Sequence, residues 1–255
     1  MYSLNIGLTN RCNARCSFCP VVRTEIQRED MPFDLVKKII REVDVEHHIS
    51  LALFGESTLY PYLREVVSLV REKGVMSILY TNGIQEIKGQ PDKVVFSLDA
   101  FTREDYKKTK GVDRFETVLE NIEKYKGYKV AQFADLRYSK RVQKFIEKLP
   151  VDKVKFGRFI SWGGEVEWDT PRERKIREPL PCGHLWKFMN IASNGDVVIC
   201  CLDYNHHHVM GNVKQAHVMD VWDSEKFNEM RNKHLKGDLP EMCLNCENED
   251  YYSTR

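Results

Sequence analysis

Three cysteines lie within eight residues near the start of the chain, just after a stretch over residues 4–8 that reads as extended. Their spacing is C-x3-C-x2-C, and they are Cys12, Cys16 and Cys19. Thiolates this close in one loop can converge on a single metal centre. Three of them ligate three irons of a [4Fe–4S] cube and leave the fourth iron open. Zinc sites use cysteine pairs with a second pair downstream, so zinc or three unrelated thiols is the weaker alternative.

The composition is that of an ordinary globular protein, except that eight cysteines are unusual for a cytosolic chain without metal chemistry. The 255 residues carry a formal net charge of +1, which indicates neither a nucleic-acid partner nor an acidic membrane and leaves local patches open. The eight cysteines cluster at the two ends, which favours metal binding in a reducing, cytoplasmic compartment over a disulfide framework. No apolar run approaches the ~20 residues of a membrane helix, and a first cysteine at position 12 leaves no room for a signal peptide.

Hydrophobic periodicity predicts an α/β fold, a partial (β/α)6 TIM-like barrel. Six candidate strands alternate with candidate helices between residues 3 and 159. In such a fold the active-site residues follow the carboxyl ends of the strands, and the cysteine loop follows strand one. The connection from Asn82 to Ser97 is short and contains Gly89 and Pro91, so we expect its helix to be reduced.

The pattern changes near residue 165, where a charged, proline-bearing stretch begins. We therefore expect a barrel over 1–165, a connector over 166–181 and a small C-terminal domain over 182–255. Within the C-terminal part, residues 193–195 read as a hairpin turn, and one helix is predicted from about 218 to 233.

The cysteine loop resembles the signature of the radical S-adenosylmethionine (SAM) enzymes, in which the open iron is chelated by SAM. Strand two ends in Phe54-Gly55-Glu56-Ser57, which resembles the family's Gly-Gly-Glu-Pro motif. This resemblance implies that Gly55 and Glu56 hold the SAM ammonium, while the chain departs from the pattern at Phe54 and Ser57. Taken alone, the motif would be a turn with a solvated glutamate.

Two further strand ends resemble family positions near SAM or the substrate. They imply roles in cofactor binding for Asn82, for Ser97 and for Asp99. Phe18, just before the third cysteine, resembles the aromatic residue that borders the adenine site. Polar groups at neighbouring strand ends face one mouth of the barrel, which is what a polar ligand requires.

Five cysteines in the last third of the chain form a second constellation. They are Cys182, Cys200, Cys201, Cys243 and Cys246. Their pattern resembles the Twitch cap, the short form of the SPASM extension, which implies an auxiliary [4Fe–4S] cluster held by all of them except Cys201. Adjacent residues on a strand point to opposite faces, so Cys201 is expected to be spare, either as a hydrogen-atom donor or as buried packing. A four-thiolate zinc site is the alternative.

The resemblance implies cleavage of SAM to a 5′-deoxyadenosyl radical that abstracts hydrogen from a polar small molecule. Oxidation and redox-neutral rearrangement or epimerisation are the expected outcomes. The implied cofactors are SAM and two [4Fe–4S] clusters, with an external one-electron donor of the flavodoxin or ferredoxin type. Arg158 on strand six is a candidate for binding substrate or steering its deprotonation, or else a surface residue. The alternatives are radical modification of a peptide or nucleic acid, and a non-catalytic electron-transfer or zinc-binding module.

Overall fold

One continuous sheet organises the molecule. The computed structural model describes residues 1, 3–134, 140–157, 159–164, 166 and 181–247. The strands found there are β1 (Ser3–Ile6), β2 (His48–Leu51), β3 (Met76–Thr81), β4 (Lys93–Ser97), β5 (Lys129–Ala134), β6 (Lys153–Gly157), β7 (Phe188–Ile191), β8 (Asp196–Val198) and β9 (Val209–Asn212). Strands β1 to β6 are parallel neighbours in chain order, which confirms the predicted partial barrel.

Helices cover the sheet between most of the strands. Those in the described ranges are α1 (Phe33–Glu42), α2 (Leu63–Glu72), α3 (Arg103–Lys110), α4 (Phe115–Lys124), α5 (Lys140–Ile146), α6 (His184–Lys187), α7 (Val218–Trp222), α8 (Glu225–Leu235) and α9 (Glu241–Leu244). The crossover from β3 to β4 contains no helix, where its short length with Gly89 and Pro91 led us to expect a reduced one. None of the helices described combines the length and apolar character that a bilayer crossing demands.

Helix α3 is missing from the sequence prediction because it has almost no apolar face. Only Tyr106 and Lys110 of its residues are buried. Its ends nevertheless carry recognisable signals. The Thr102 hydroxyl accepts from the backbone N–H of Asp105, and Gly111 closes the helix in the left-handed conformation. These two capping residues mark the ends of the helix in the sequence, although hydrophobic periodicity does not indicate it.

The C-terminal part extends the same sheet. Strand β7 pairs in parallel with β1, and β8 and β9 follow it in antiparallel hairpins, so the order is β6-β5-β4-β3-β2-β1-β7-β8-β9. The predicted hairpin turn at 193–195 is confirmed. The single helix predicted over 218–233 is wrong: the Ser224 side chain accepts from Phe227 N and starts a second helix there. The boundaries at 165 and 182 stay predictions.

The two faces of the sheet have different neighbours. One face, with Leu79 on β3, joins the large core beneath the helices. The alternate residues Ile78, Val95 and Val130 form a separate cluster with Tyr80. Since successive side chains on a strand point to opposite faces, this cluster lines the face turned away from the helices, which is the interior of the partial barrel.

Candidate active site

The three-cysteine loop follows β1 and is fastened to the end of α3. Its backbone N–H groups at Arg15 and Ser17 donate to the carbonyls of Lys110 and Thr109, at 2.9 and 3.0 Å. All three thiols are partly buried. Helix α3, which the sequence did not predict, therefore helps to hold the three-cysteine loop in place.

The thiols of this loop lie close enough to influence one another. Burial raises the pKa of Cys16 to about 11 and that of Cys19 to about 12, and neighbouring thiols add to both shifts. Burial also raises the pKa of Cys12. Convergent, desolvated thiols become thiolates when a positive metal centre compensates their charge. On its donor chemistry the loop therefore fits a three-cysteine [4Fe–4S] site.

Gly55 lies directly against this loop at the end of the segment that follows β2. Its φ is +100°, and a Cβ there would stand 2.4 Å from the carbonyl oxygen of Thr9 and 2.8 Å from that of Arg11. The next residue, Glu56, donates its backbone N–H to the same Arg11 carbonyl at 2.8 Å. Only glycine fits this approach, so the motif and the loop interlock.

The Glu56 carboxylate is buried in a net of hydrogen bonds. Oε1 accepts from the hydroxyl groups of Thr58 and Thr81 at 2.7 and 2.8 Å and from Thr58 N at 3.1 Å. Oε2 accepts from Asn82 N at 2.7 Å. With three donors on one oxygen and one on the other, Oε2 keeps acceptor capacity for an ammonium group.

The departures from the Gly-Gly-Glu-Pro pattern have local causes. Phe54 stands where the family has glycine, and its side chain is buried with Val21, Val198 and Tyr204 in a small cluster between the cysteine loop and the C-terminal hairpins. Ser57 stands where the family has proline and starts a 3-10 turn over Ser57–Leu59.

Asn82 and Asp99 are both engaged by the protein. The Asn82 side-chain amide donates to Asn13 Oδ1 at 2.7 Å and lies 3.9 Å from Cys12 Sγ, so it touches the cysteine loop. Asp99 accepts from Lys110 Nζ at 2.6 Å and from Ala134 N at 2.8 Å, with both ionic side chains buried. Asp99 is therefore linked to the three-cysteine loop by its ion pair with Lys110.

The other predicted residues of this site have different surroundings. Phe18 packs on Phe159 with ring centroids 4.5 Å apart and lies 5.4 Å from Lys110 Nζ. Its carbonyl accepts from Trp162 Nε1 at 3.0 Å. Ser97 is the half-buried last residue of β4. Arg158 lies outside the described residues.

Four of the C-terminal cysteines line one cavity. They are Cys182, Cys200, Cys243 and Cys246. The other lining side chains are apolar except for two imidazoles, and they are His184, Leu185, Ile199, Leu202, His234, Leu239 and Met242. Burial raises the pKa of Cys182 to about 11 and that of Cys243 to about 12, and it lowers those of both histidines to about 4. The donor set fits a four-thiolate cluster.

Cys200 and Cys201 do not sit on a strand, so the expected alternation of faces does not apply to them. Strand β8 ends at Val198, and the two cysteines follow in the turn. Their sulfur atoms and a ring nitrogen of His184 lie within 4.8 Å of one another. Cys200 lines the four-cysteine cavity and Cys201 does not. The choice of Cys200 as ligand stays a prediction, now supported by the cavity.

Comparison with known protein families adds two matches. Residues 6–136 match the model of the radical SAM superfamily. Residues 182–247 match the model of the SPASM iron–sulfur cluster-binding domain. The two matches cover the three-cysteine loop and the four-cysteine cavity respectively.

Individual relatives resemble the chain over different lengths. The S-adenosyl-L-methionine-dependent 2-deoxy-scyllo-inosamine dehydrogenase of Niallia circulans is 24% identical over 96% of this chain and 92% of its own length. A probable GTP 3′,8-cyclase of Saccharolobus islandicus is 34% identical over 47% of this chain, and the match spans only 42% of that enzyme.

Solved structures share the fold at low sequence identity. BtrN in complex with AdoMet and 2-DOIA superposes with a TM-score of 0.67 at 20% identity, over all of this chain and 96% of that one. Streptococcus suis SuiB bound to the precursor peptide SuiA gives 0.73 at 16% identity, over 96% of this chain and 69% of that one.

Proposed function

The chain belongs to the radical SAM superfamily, and from that premise we propose that it dehydrogenates a polar small molecule. It is an enzyme whose cofactors are SAM and two [4Fe–4S] clusters, one of the radical SAM domain and one of the SPASM-type domain. When bound, these groups supply a 5′-deoxyadenosyl radical that removes a hydrogen atom and a redox centre that takes up the remaining electron.

In this proposal two sets of cysteines bind the two clusters. The first cluster is held by Cys12, Cys16 and Cys19, and the second by Cys182, Cys200, Cys243 and Cys246. The residues proposed to bind SAM are Phe18, Gly55, Glu56, Asn82 and Ser97. Glu56 offers its less occupied oxygen to the ammonium, and Asp99 fixes Lys110 beside the loop.

One observation carries the choice of oxidation: Cys201, whose sulfur lies within 4.8 Å of the Cys200 sulfur, is close to the interior face of the barrel. Tyr80 lies on the interior face of β3, and its pKa is raised by burial and then by the Cys201 thiol. A substrate inside the barrel is therefore near the second redox centre. Four thiolates leave that centre no open iron for a ligand, so electron transfer is the role it can fill. The match to a small-molecule dehydrogenase over 92% of that enzyme's length supports the same assignment.

The donor of the first electron is proposed to be an acidic carrier of the flavodoxin or ferredoxin type. Arg11, Arg15 and Arg28 line a surface cavity beside Cys12. Asp30 pairs with Arg11 at 2.6 Å, whereas no carboxylate within the described ranges pairs with Arg15 or Arg28. Such a surface complements an acidic protein.

We also propose a reducing, cytoplasmic location. All eight cysteines lie in the described residues, and none of them forms a disulfide. Cluster assembly requires thiols in the reduced state.

Anaerobic reconstitution followed by substrate screening tests the proposal. The reconstituted protein is expected to hold about eight irons per chain and to release 5′-deoxyadenosine from SAM. Incubation with 2-deoxy-scyllo-inosamine and other aminocyclitols is expected to give a product lighter by two hydrogens in mass spectrometry. A product of unchanged mass would instead indicate epimerisation or rearrangement. Exclusive modification of peptides would establish the large-substrate alternative, which the helix-free crossover between β3 and β4 favours.

A further inference from the structure

His234 is a buried imidazole with no hydrogen-bond partner inside the described protein. It lies in the last turn of α8, its exposure is 1%, and neither ring nitrogen has a partner. The side chain lines the same cavity as the four cysteines. Buried polar groups in native proteins are almost always hydrogen-bonded, so an orphaned imidazole in this position points to a partner within the cavity.

A second imidazole reaches the same cavity and is held from the other side. His184 Nε2 lies 3.1 Å from Asn190 Nδ2, and Asn190 Oδ1 accepts from Asn5 Nδ2 at 2.8 Å. An amide nitrogen can only donate, so Nε2 is the acceptor and the proton of neutral His184 sits on Nδ1. A ring nitrogen of this residue lies within 4.8 Å of the sulfur atoms of Cys200 and Cys201.

The two histidine segments are joined to each other. Arg231, one turn before His234 on α8, donates from Nε to the carbonyl oxygen of Leu185 at 3.1 Å. The guanidinium of Arg231 also stacks 4.3 Å from the ring centroids of Trp222 and Phe227. The positions of both rings relative to the cavity are therefore fixed by buried contacts.

We propose that His184 and His234 donate N–H hydrogen bonds to the sulfur atoms of the second cluster and raise its reduction potential. This inference rests on the proposed function of that site as an electron acceptor. A cluster with four thiolates becomes more negative when it is reduced, and N–H donors stabilise the added charge. Backbone N–H groups already donate to the sulfur atoms of Cys182 and Cys200, and the two imidazoles add side-chain donors to a cavity whose other non-cysteine walls are apolar. They are positioning residues, because the four cysteines already satisfy the irons.

The test uses the 255-residue chain with Cys12, Cys16 and Cys19 replaced by alanine, so that only the second cluster is observed. Its midpoint potential is measured by a redox titration followed by electron paramagnetic resonance. In that background His234→Leu and His184→Leu remove the donors, whereas His234→Gln and His184→Gln keep an N–H. His207→Leu is the matched control, because His207 is exposed and does not line the cavity.

Each leucine variant is expected to make reduction at least tenfold less favourable, which is a fall of about 59 mV for one electron. Each glutamine variant is expected to recover part of that loss, and the control to change nothing. Unchanged potentials at full iron content would overturn the proposal. Loss of iron in the histidine variants would overturn it in favour of direct ligation.

If the leucine variants do not fold, the glutamine variants and a measurement on the protein with both histidines intact still test the hydrogen bonds. Pulsed resonance on protein labelled with ¹⁵N-histidine is expected to show a weak coupling of the cluster to histidine nitrogen and to exchangeable protons. Absence of both couplings would overturn the inference. The potential is measured without substrate. A product of unchanged mass with the shift intact therefore refutes the dehydrogenase assignment and supports the hydrogen bonds.

Discussion

The two cysteine sites are built in opposite ways. The first draws three thiols from one loop and surrounds them with polar and charged groups, among them Glu56 and the Lys110–Asp99 pair. The second collects its thiols from separate segments, before α6, after β8 and around α9, and walls them with aliphatic side chains and two imidazoles. Charged surroundings suit a zwitterionic ligand such as SAM. A closed thiolate site suits the exchange of electrons alone.

Removing one cysteine from each site is the most direct way to break this comparison. Cys16→Ala is expected to abolish 5′-deoxyadenosine formation and to leave about four of about eight irons, because one cluster survives. Cys246→Ala is expected to lose a similar amount of iron and to keep SAM cleavage while forming no oxidised product. Iron analysis and chromatography of the nucleoside check both. Retained cleavage in Cys16→Ala would contradict the assignment of the first site.

A glycine substitution sharpens how tightly the first site is built. Gly55→Ala places a Cβ 2.4 Å from the Thr9 carbonyl oxygen, so we expect the cysteine loop to shift and the first cluster to be lost. Gly74→Ala is the matched control, since Gly74 also has a positive φ of +80° but would meet nothing within 4 Å. The control should cost only the strain of the left-handed conformation, about 1–2 kcal/mol. Equal iron content in both variants would show that the close approach is not required.

The contrast between the sites also explains what the sequence can predict. The strands and the three-cysteine loop depend on local spacing, and both are visible as periodicity or motif. The Lys110–Asp99 pair depends on α3, whose polar sequence has no apolar period, and on a strand end eleven residues earlier that meets it only in the fold. The pairing of β7 with β1 and the gathering of His184 and His234 around cysteines are also contacts between distant segments, and no local pattern indicates them.

The buried Asp99–Lys110 ion pair is expected to stabilise the first site. Among the described residues that line the second site there is no such pair. Asp99→Asn leaves Lys110 buried without its carboxylate, which costs about 3–5 kcal/mol. Denaturant unfolding measures the loss, and the double variant Asp99→Asn with Lys110→Met is expected to recover part of it. Asp113→Asn is the control, because its pair with Arg103 is exposed. Equal stability of the Asp99 and Asp113 variants would contradict a role for the buried pair.

Only the first site should depend on docking of an acidic donor. Arg15→Glu reverses an exposed charge in the cavity beside Cys12. With flavodoxin as donor we expect roughly tenfold slower formation of 5′-deoxyadenosine at low salt, and a smaller effect at high salt. With dithionite as reductant the rate should not change. Arg41→Glu on α1, an exposed residue that does not line this cavity, is the control. A slower rate with dithionite would show that Arg15 acts on the cluster itself.

The smallest expected effect separates two adjacent cysteines of the second site. Cys200 lines the cavity and Cys201 does not, although their sulfur atoms lie within 4.8 Å of each other. Cys200→Ala should therefore lose the second cluster. Cys201→Ala should keep it and turn over substrate to the same product within roughly twofold, a change of less than 0.5 kcal/mol in the barrier. Cys201 also lies near Tyr80 on the interior face, where a thiol could return a hydrogen atom to a substrate radical. If Cys201→Ala stalls after hydrogen abstraction, the reaction is an epimerisation, and the second cluster does not serve as the acceptor for an oxidation.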